Sequence, residues 1–188
     1  ANIVTKVREV EKESRLIRSV VRINKIEEAD QRNAIAFNKD KEIWITKEGG
    51  QLAEQLAENL NANGYIAQIV ANNKKPNDNL GALVLCANDN PNKQWLLDAY
   101  SLMQSCSAAL KKSKGILASV TTLGGSFGFD GELKGEPIQA GLYGLIKTAD
   151  KEWFDVSVKS IDVDLDSVSV DSLKEELFYE GPLEVGLL

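Results

Sequence analysis

The chain reads as an α/β domain, a truncated Rossmann-like fold with a mainly parallel sheet and flanking helices. Three observations predict it. Short runs rich in β-branched residues alternate with longer stretches of helical periodicity. Several of the short runs, L-G-A-L-V-L-C above all, are apolar at every position, as strands covered on both faces of a parallel sheet are. The polar break N-N-K-K-P-N-D-N between two such runs leaves only about nine residues, whereas a helical crossover takes about a dozen or more. One helix of the full pattern is therefore expected to be missing.

The elements follow in order. The first thirty or so residues are charged, with R-S-V-V-R-I (residues 18–23) as a candidate opening strand and I-E-E-A-D-Q-R-N as a connection. This divides the chain into a linker and opening strand, 1–35, and a Rossmann-like domain, 36–188. E-I-W-I-T is the first regular strand. In the helix that follows, Leu52, Leu56 and Leu60 recur on one face, and Gly64 suits a left-handed stop. Y-I-A-Q-I-V and L-G-A-L-V-L-C are the next strands. A long helix is predicted over 93–114, with Trp95, Leu96, Tyr100, Met103 and Leu110 on its apolar side. G-I-L-A-S-V-T-T is another buried strand. A helix after Pro137, the strand V-S-V-K-S-I-D-V and the amphipathic S-V-D-S-L-K-E-E-L-F-Y-E complete the pattern.

Composition narrows the function. The 188 residues fit one domain with a real core. A net charge of -6 without a basic stripe disfavours nucleic acid and anionic membrane surfaces, and no apolar run approaches a membrane span. The absence of histidine excludes Ser-His-Asp and Cys-His catalysis and every imidazole metal site. Cys86 and Cys106 are expected as buried free thiols in a reducing cytosol rather than as a disulfide. The chain opens at Ala1 and closes on the apolar L-E-V-G-L-L, which reads as a piece of a longer polypeptide.

Two motifs bear on chemistry. A dinucleotide turn places glycines after the first strand so that backbone N–H groups approach a pyrophosphate at a helix N-terminus. Here the position reads T-K-E-G-G-Q-L-A, with Gly49 and Gly50 adjacent and no third glycine at the expected interval. The turn is degenerate, and no cofactor is expected on this chain. The second motif is Tyr143-x-x-x-Lys147, a spacing that puts both residues on one helical face. In a short-chain reductase such a pair passes a proton to the substrate carbonyl. A partner serine about a dozen residues before the tyrosine is lacking: Ser126 is too early and Ser119 belongs to a strand. Tyr143 is therefore expected to pack at the sheet edge, with Lys147 solvated.

Two further features have plain explanations beside functional ones. Gly124, Gly125, Gly128 and Gly131, with Phe127 and Phe129 among them, form either a loop that touches a partner or a tight surface loop with anchoring aromatics. Asp162, Asp164 and Asp166 alternate as a cation site on a strand would, and also as a solvated strand end does.

The segments T-x-x-G-G followed by L-A-x-x-L-A-x-x-L, V-T-T-L-G-G-S-F-G-F, P-I-Q-A-G-L-Y-G-L-I-K-T-A-D-K-E-W, I-D-V-D and G-P-L-E-V-G-L cover residues 42–188. Together they resemble the structural, non-catalytic half of the ketoreductase region in polyketide and polyunsaturated fatty acid synthases, a short-chain dehydrogenase-like family. The resemblance implies a subdomain that binds no cofactor and stabilises an adjoining catalytic half, which holds NADP. That half reduces a β-ketoacyl group on acyl carrier protein to β-hydroxyacyl, so the carrier protein is an indirect partner and the setting is cytoplasmic. It also implies that position 143 need not be tyrosine. Two alternatives stand beside it: a divergent NAD(P)H-dependent reductase using Tyr143 and Lys147, and a stand-alone protein-interaction domain.

Overall fold

The structure, a computed structural model, describes residues 22–26, 31–131 and 133–188. Six parallel strands form one sheet in the order β2-β1-β3-β4-β5-β6. They are β1 (Glu42–Thr46), β2 (Ile66–Val70), β3 (Leu80–Cys86), β4 (Ile116–Thr121), β5 (Ser157–Val163) and β6 (Glu184–Leu187). Among the described residues four α-helices flank them: α1 (Gly50–Ala62), α2 (Lys93–Ser113), α3 (Ala140–Glu152) and α4 (Val170–Phe178). The chain is thus α/β and Rossmann-like. Its winding reverses between β1 and β3, the topological switch point of such sheets.

Each face of the sheet buries its own core. Ile43, Ile45, Val84, Val120 and Ile161 meet Leu56 and Leu60 of α1 and Leu173 and Leu177 of α4. On the opposite face Trp44, Leu83, Leu85 and Leu117 meet Trp95, Leu102, Met103, Cys106 and Leu110 of α2 and Leu142 and Ile146 of α3. β3 and β4, covered on both sides, are buried at every residue, which is why they read as unbroken apolar runs. Tyr100 departs from the sequence expectation: it lies 43 % exposed on the outer side of α2, where Ala99 and Leu102 take the buried positions.

No helix joins β2 to β3. Nine helical residues would span only about 13 Å, too little to return along the sheet and pass β1. Extended chain of that length reaches about 30 Å. The connection lies over the face that carries Trp44: the Lys74 ammonium sits 4.7 Å from the Trp44 ring centroid and donates to Gln68. Trp44 is fully buried, its indole N–H donating to Glu42 at 2.8 Å. A loop therefore does the covering that a helix does elsewhere.

The opening strand expected over 18–23 lies largely outside the described residues, and residues 22–26 carry no regular secondary structure. From residue 31 the chain runs along α4's exit. The Ile35 N–H donates to the Phe178 carbonyl and the Glu180 N–H to that of Asn33, both at 2.7 Å. Arg32 pairs with Glu176, whose other ion-pair partner is the buried Lys159 at 2.6 Å. The closing L-E-V-G-L-L forms β6, in register with β5 from Ser160↔Glu184 to Val163↔Leu187. Val185 is consequently a core residue. Among the described residues no helix is long and apolar enough to cross a membrane.

Candidate functional site

The carboxyl edge of a parallel sheet is where the loops converge. At the switch point, β1 runs through a single 3-10 turn, Lys47–Gly49, straight into α1. The Thr46 hydroxyl, buried at the strand end, accepts the Cys86 N–H at 2.8 Å. That bond ties β1 to β3 across the crevice where the two strands would otherwise part. Gly49 wedges into the same gap: a Cβ added there would lie 2.4 Å from Cys86 Cβ and 3.0 Å from Ala53 Cβ. Gly49 is needed for close packing of turn on strand. Gly50 is needed for its φ of 51°, a left-handed angle, and has open space beside it.

Glu48 completes this corner. One of its carboxylate oxygens is buried without a hydrogen-bond partner. Its charge reaches Cys86, whose thiol is pushed up to about 12, mainly by burial and then by that carboxylate. Cys106 is pushed up to about 11, again mainly by burial. Both cysteines are free and buried, and such thiols are poor nucleophiles. A dinucleotide's pyrophosphate requires a parted crevice and unopposed N–H donors at the helix start. Thr46, Gly49 and Glu48 supply a closed seam and a carboxylate instead, and these residues do not fit the cofactor.

Tyr143 and Lys147 do share one face of α3, as their spacing predicts. The Tyr143 ring meets Phe127 edge-on with centroids 5.5 Å apart. The Lys147 ammonium lies 5.5 Å from the Tyr143 ring centroid and forms a 2.8 Å ion pair with Glu184 on β6. A proton relay needs the ammonium beside the phenol oxygen and a serine hydroxyl close by. The ammonium here is taken by Glu184. Ser119 is fully buried and bonded to Ser160 at 2.9 Å, and Ser126 is buried with its hydroxyl unpartnered. A cleft of about 540 Å3 does open over the ends of β4 and β5, lined by Thr122, Gly124, Lys134, Gln139, Asp164 and others. Neither Tyr143 nor Lys147 lines it.

The glycine-rich loop is organised by a residue whose role the sequence did not reveal. Asp162 is fully buried at the end of β5. Its carboxylate accepts the Thr121 hydroxyl at 2.7 Å and the N–H groups of Leu123 and Phe127, both at 2.8 Å. Phe127 adopts a φ of 55°; the hydrogen bond from its N–H to Asp162 and the ring contact with Tyr143 hold it there. Gly125 and Gly186 then pass in contact, since a Cβ on Gly186 would come within 1.7 Å of the Gly125 carbonyl oxygen. The one signal available was an aspartate inside the apolar run S-I-D-V, where an unpaired charge is too costly to bury.

The three aspartates do not converge. Only Asp162 lies on the strand. Asp164 and Asp166, beyond its end, both take the Lys134 ammonium, at 2.9 and 3.0 Å. The hydrogen bond from Lys134 holds the Asp164 carboxyl below the usual carboxylate range. Phe129 remains about half exposed.

No family model matches this chain, and no curated protein does. Among solved structures it is similar to an apo SCOR enzyme from Clostridium thermocellum, at 14 % identity over 66 % of this chain and 72 % of that one, with a TM-score of 0.48. It is also similar to a short-chain dehydrogenase from Leptospira borgpetersenii serovar Hardjo-bovis with bound NAD+, at 13 % identity over 85 % and 83 % of the two chains, with a TM-score of 0.46.

Proposed function

We propose that this chain is a non-catalytic Rossmann-like subdomain that stabilises the NADPH-dependent half of a ketoreductase in a multidomain fatty acid or polyketide synthase. The observation that carries the non-catalytic part is the Thr46–Cys86 bond, which seams the switch-point crevice that a dinucleotide would need. The diversion of Lys147 to Glu184 supports it independently. The synthase setting rests on the sequence resemblance of residues 42–188. In that setting the partner half holds NADP and reduces a β-ketoacyl group presented by acyl carrier protein. This chain contributes a rigid neighbour, with Tyr143 and Lys147 as packing and surface residues.

Titration calorimetry with NADPH tests the reading directly. The expected result is no saturable heat up to about 100 μM ligand; a dissociation constant of about 1–10 μM, some 7–8 kcal/mol of binding, would overturn it. In the parent synthase, Tyr143→Phe and Lys147→Ala should each leave ketoreduction largely unchanged. A hundredfold loss of turnover in a folded protein, about 3 kcal/mol of transition-state stabilisation, would restore the pair to catalysis.

A further inference from the structure

β2 ends the sheet, and among the described residues no strand lies beside its outer edge. Its sequence, I-A-Q-I-V, carries no charge and no proline, and Ile66 and Ile69 are 42 % and 40 % exposed. An uncharged apolar edge of this kind is a template for another strand unless its main-chain groups are occupied. One side chain occupies them. Asn61, in the last turn of α1, reaches forward to β2. Its amide nitrogen donates to the Ala67 carbonyl at 3.1 Å, and its amide oxygen accepts the Ala67 N–H at 2.9 Å. The Ala67 N–H therefore faces away from β1, and the Asn61 amide stands where the peptide group of a neighbouring strand would stand. Main-chain direction alternates along a strand, so Ile69 is the next residue to face out. At the two ends of the strand the Tyr65 N–H donates to the Leu60 carbonyl, and the Ala71 carbonyl accepts the Lys74 N–H. Ala67 and Ile69 are thus the residues through which another strand would pair.

We propose that Asn61 bars a second copy of this chain from the β2 edge, which is a self-complementary strand-pairing surface once that side chain is removed. The occupant follows from the spacing. In an antiparallel pairing centred on Gln68, Ala67 of each copy lies opposite Ile69 of the other, and such opposed residues exchange both N–H···O bonds. The copies are then related by a two-fold axis, an isologous contact. No charged residue of the strand meets itself across that axis. Every hydrogen bond of this register has an Ala67 group at one end, so the Asn61 amide blocks all of them at once.

Sedimentation equilibrium of the full chain, up to about 1 mM protein, tests the inference. Wild type should stay monomeric. Asn61→Ala should dimerise with a dissociation constant at least about tenfold below that of wild type, equivalent to about 1.4 kcal/mol. Alanine is the better helix former, so α1 should survive the change, and thermal melts check this. Asn61→Ser, which also lacks the paired amide, should behave alike. Hydrogen exchange reads the bond itself. At low concentration the Ala67 N–H of Asn61→Ala should exchange faster than in wild type, and at high concentration it should slow again. Adding Ile69→Lys, which puts a charge on the edge, should return Asn61→Ala to a monomer. The inference is overturned if both Asn61 variants stay monomeric, if wild type dimerises as tightly as they do, or if their dimer is indifferent to Ile69→Lys.

Discussion

Two corners of the same sheet edge solve opposite problems. Where β1 meets α1, the chain turns in three residues and the strands are drawn together, by the Thr46 hydroxyl bonding Cys86 N–H and by a glycine seated against the cysteine. Where β4 and β5 end, the chain makes a long glycine-rich excursion, and a buried carboxylate gathers it by three hydrogen bonds. The first corner is closed by shape, with one carboxylate oxygen of its acid, Glu48, left without a hydrogen-bond partner. The second is closed by polarity, with its acid, Asp162, fully satisfied. Burial of a carboxylate oxygen is therefore not informative by itself: three donors reach Asp162 and make it the organiser of a loop, and none reaches the buried oxygen of Glu48.

The largest expected effect separates those two acids. Asp162→Ala leaves the buried Leu123 amide, the part-buried Phe127 amide and the buried Thr121 hydroxyl without an acceptor, at about 1–3 kcal/mol for each buried group. We expect a loss of about 3 kcal/mol or more in urea unfolding, with faster hydrogen exchange at Leu123 and Phe127. Glu48→Gln removes no hydrogen bond and should shift the midpoint little; comparable losses in the two variants would erase the distinction.

Next come the glycines that permit close approach. Gly186→Ala pushes a methyl into the Gly125 carbonyl and should cost about 1–3 kcal/mol. Gly49→Ala meets Cys86 Cβ at 2.4 Å, an atom fixed by the β3 backbone, and belongs to the same range. Gly144→Ala, on the exposed side of α3 with open space around it, should instead stabilise by about 0.5–1 kcal/mol. A destabilised Gly144→Ala would show that α3 has a neighbour there.

Smaller effects are expected from the pair that looks catalytic. Lys147→Ala breaks a half-exposed ion pair and should change stability by no more than about 1 kcal/mol. Tyr143→Phe keeps the ring against Phe127, whereas Tyr143→Ala forfeits an aromatic contact of about 0.5–1.5 kcal/mol. If Tyr143→Phe costs as much as Tyr143→Ala, the hydroxyl matters and the packing explanation fails.

The smallest is the clasp at the cleft rim. Because Lys134 lowers the folded-state pKa of Asp164, the clasp contributes fully above the usual carboxylate value near 3.8 and is lost as pH falls through the lower folded value. An NMR titration of the Asp164 carboxyl should give a midpoint below 3.8 in wild type, returning toward it in Lys134→Ala.

Much of this was legible in the residues. The unbroken apolar runs marked β3 and β4, Leu56 and Leu60 marked the buried side of α1, and the short break after Val70 announced the missing helix. These are properties of local periodicity and chain reach, which any fold must respect. Tyr100 was misplaced because a tyrosine suits either side of a helix. The closing L-E-V-G-L-L became β6 only because β5 offers an unpaired edge, and four residues are too few for periodicity to declare.

Sequence by itself determined the class of fold, the degeneracy of the glycine turn, the absence of histidine chemistry and the shared helical face of Tyr143 and Lys147. Only tertiary structure decided what those residues meet. Glu184 reaches Lys147 from 37 residues away in the chain, a separation fixed by strand order. Thr46 meets Cys86 because β1 and β3 are neighbours in the sheet though β2 lies between them in sequence. Whether a carboxylate is satisfied depends on donors that long-range pairing brings to it, and no local pattern encodes them. That is why Asp162 and Glu48, alike in charge, differ so completely in their partners.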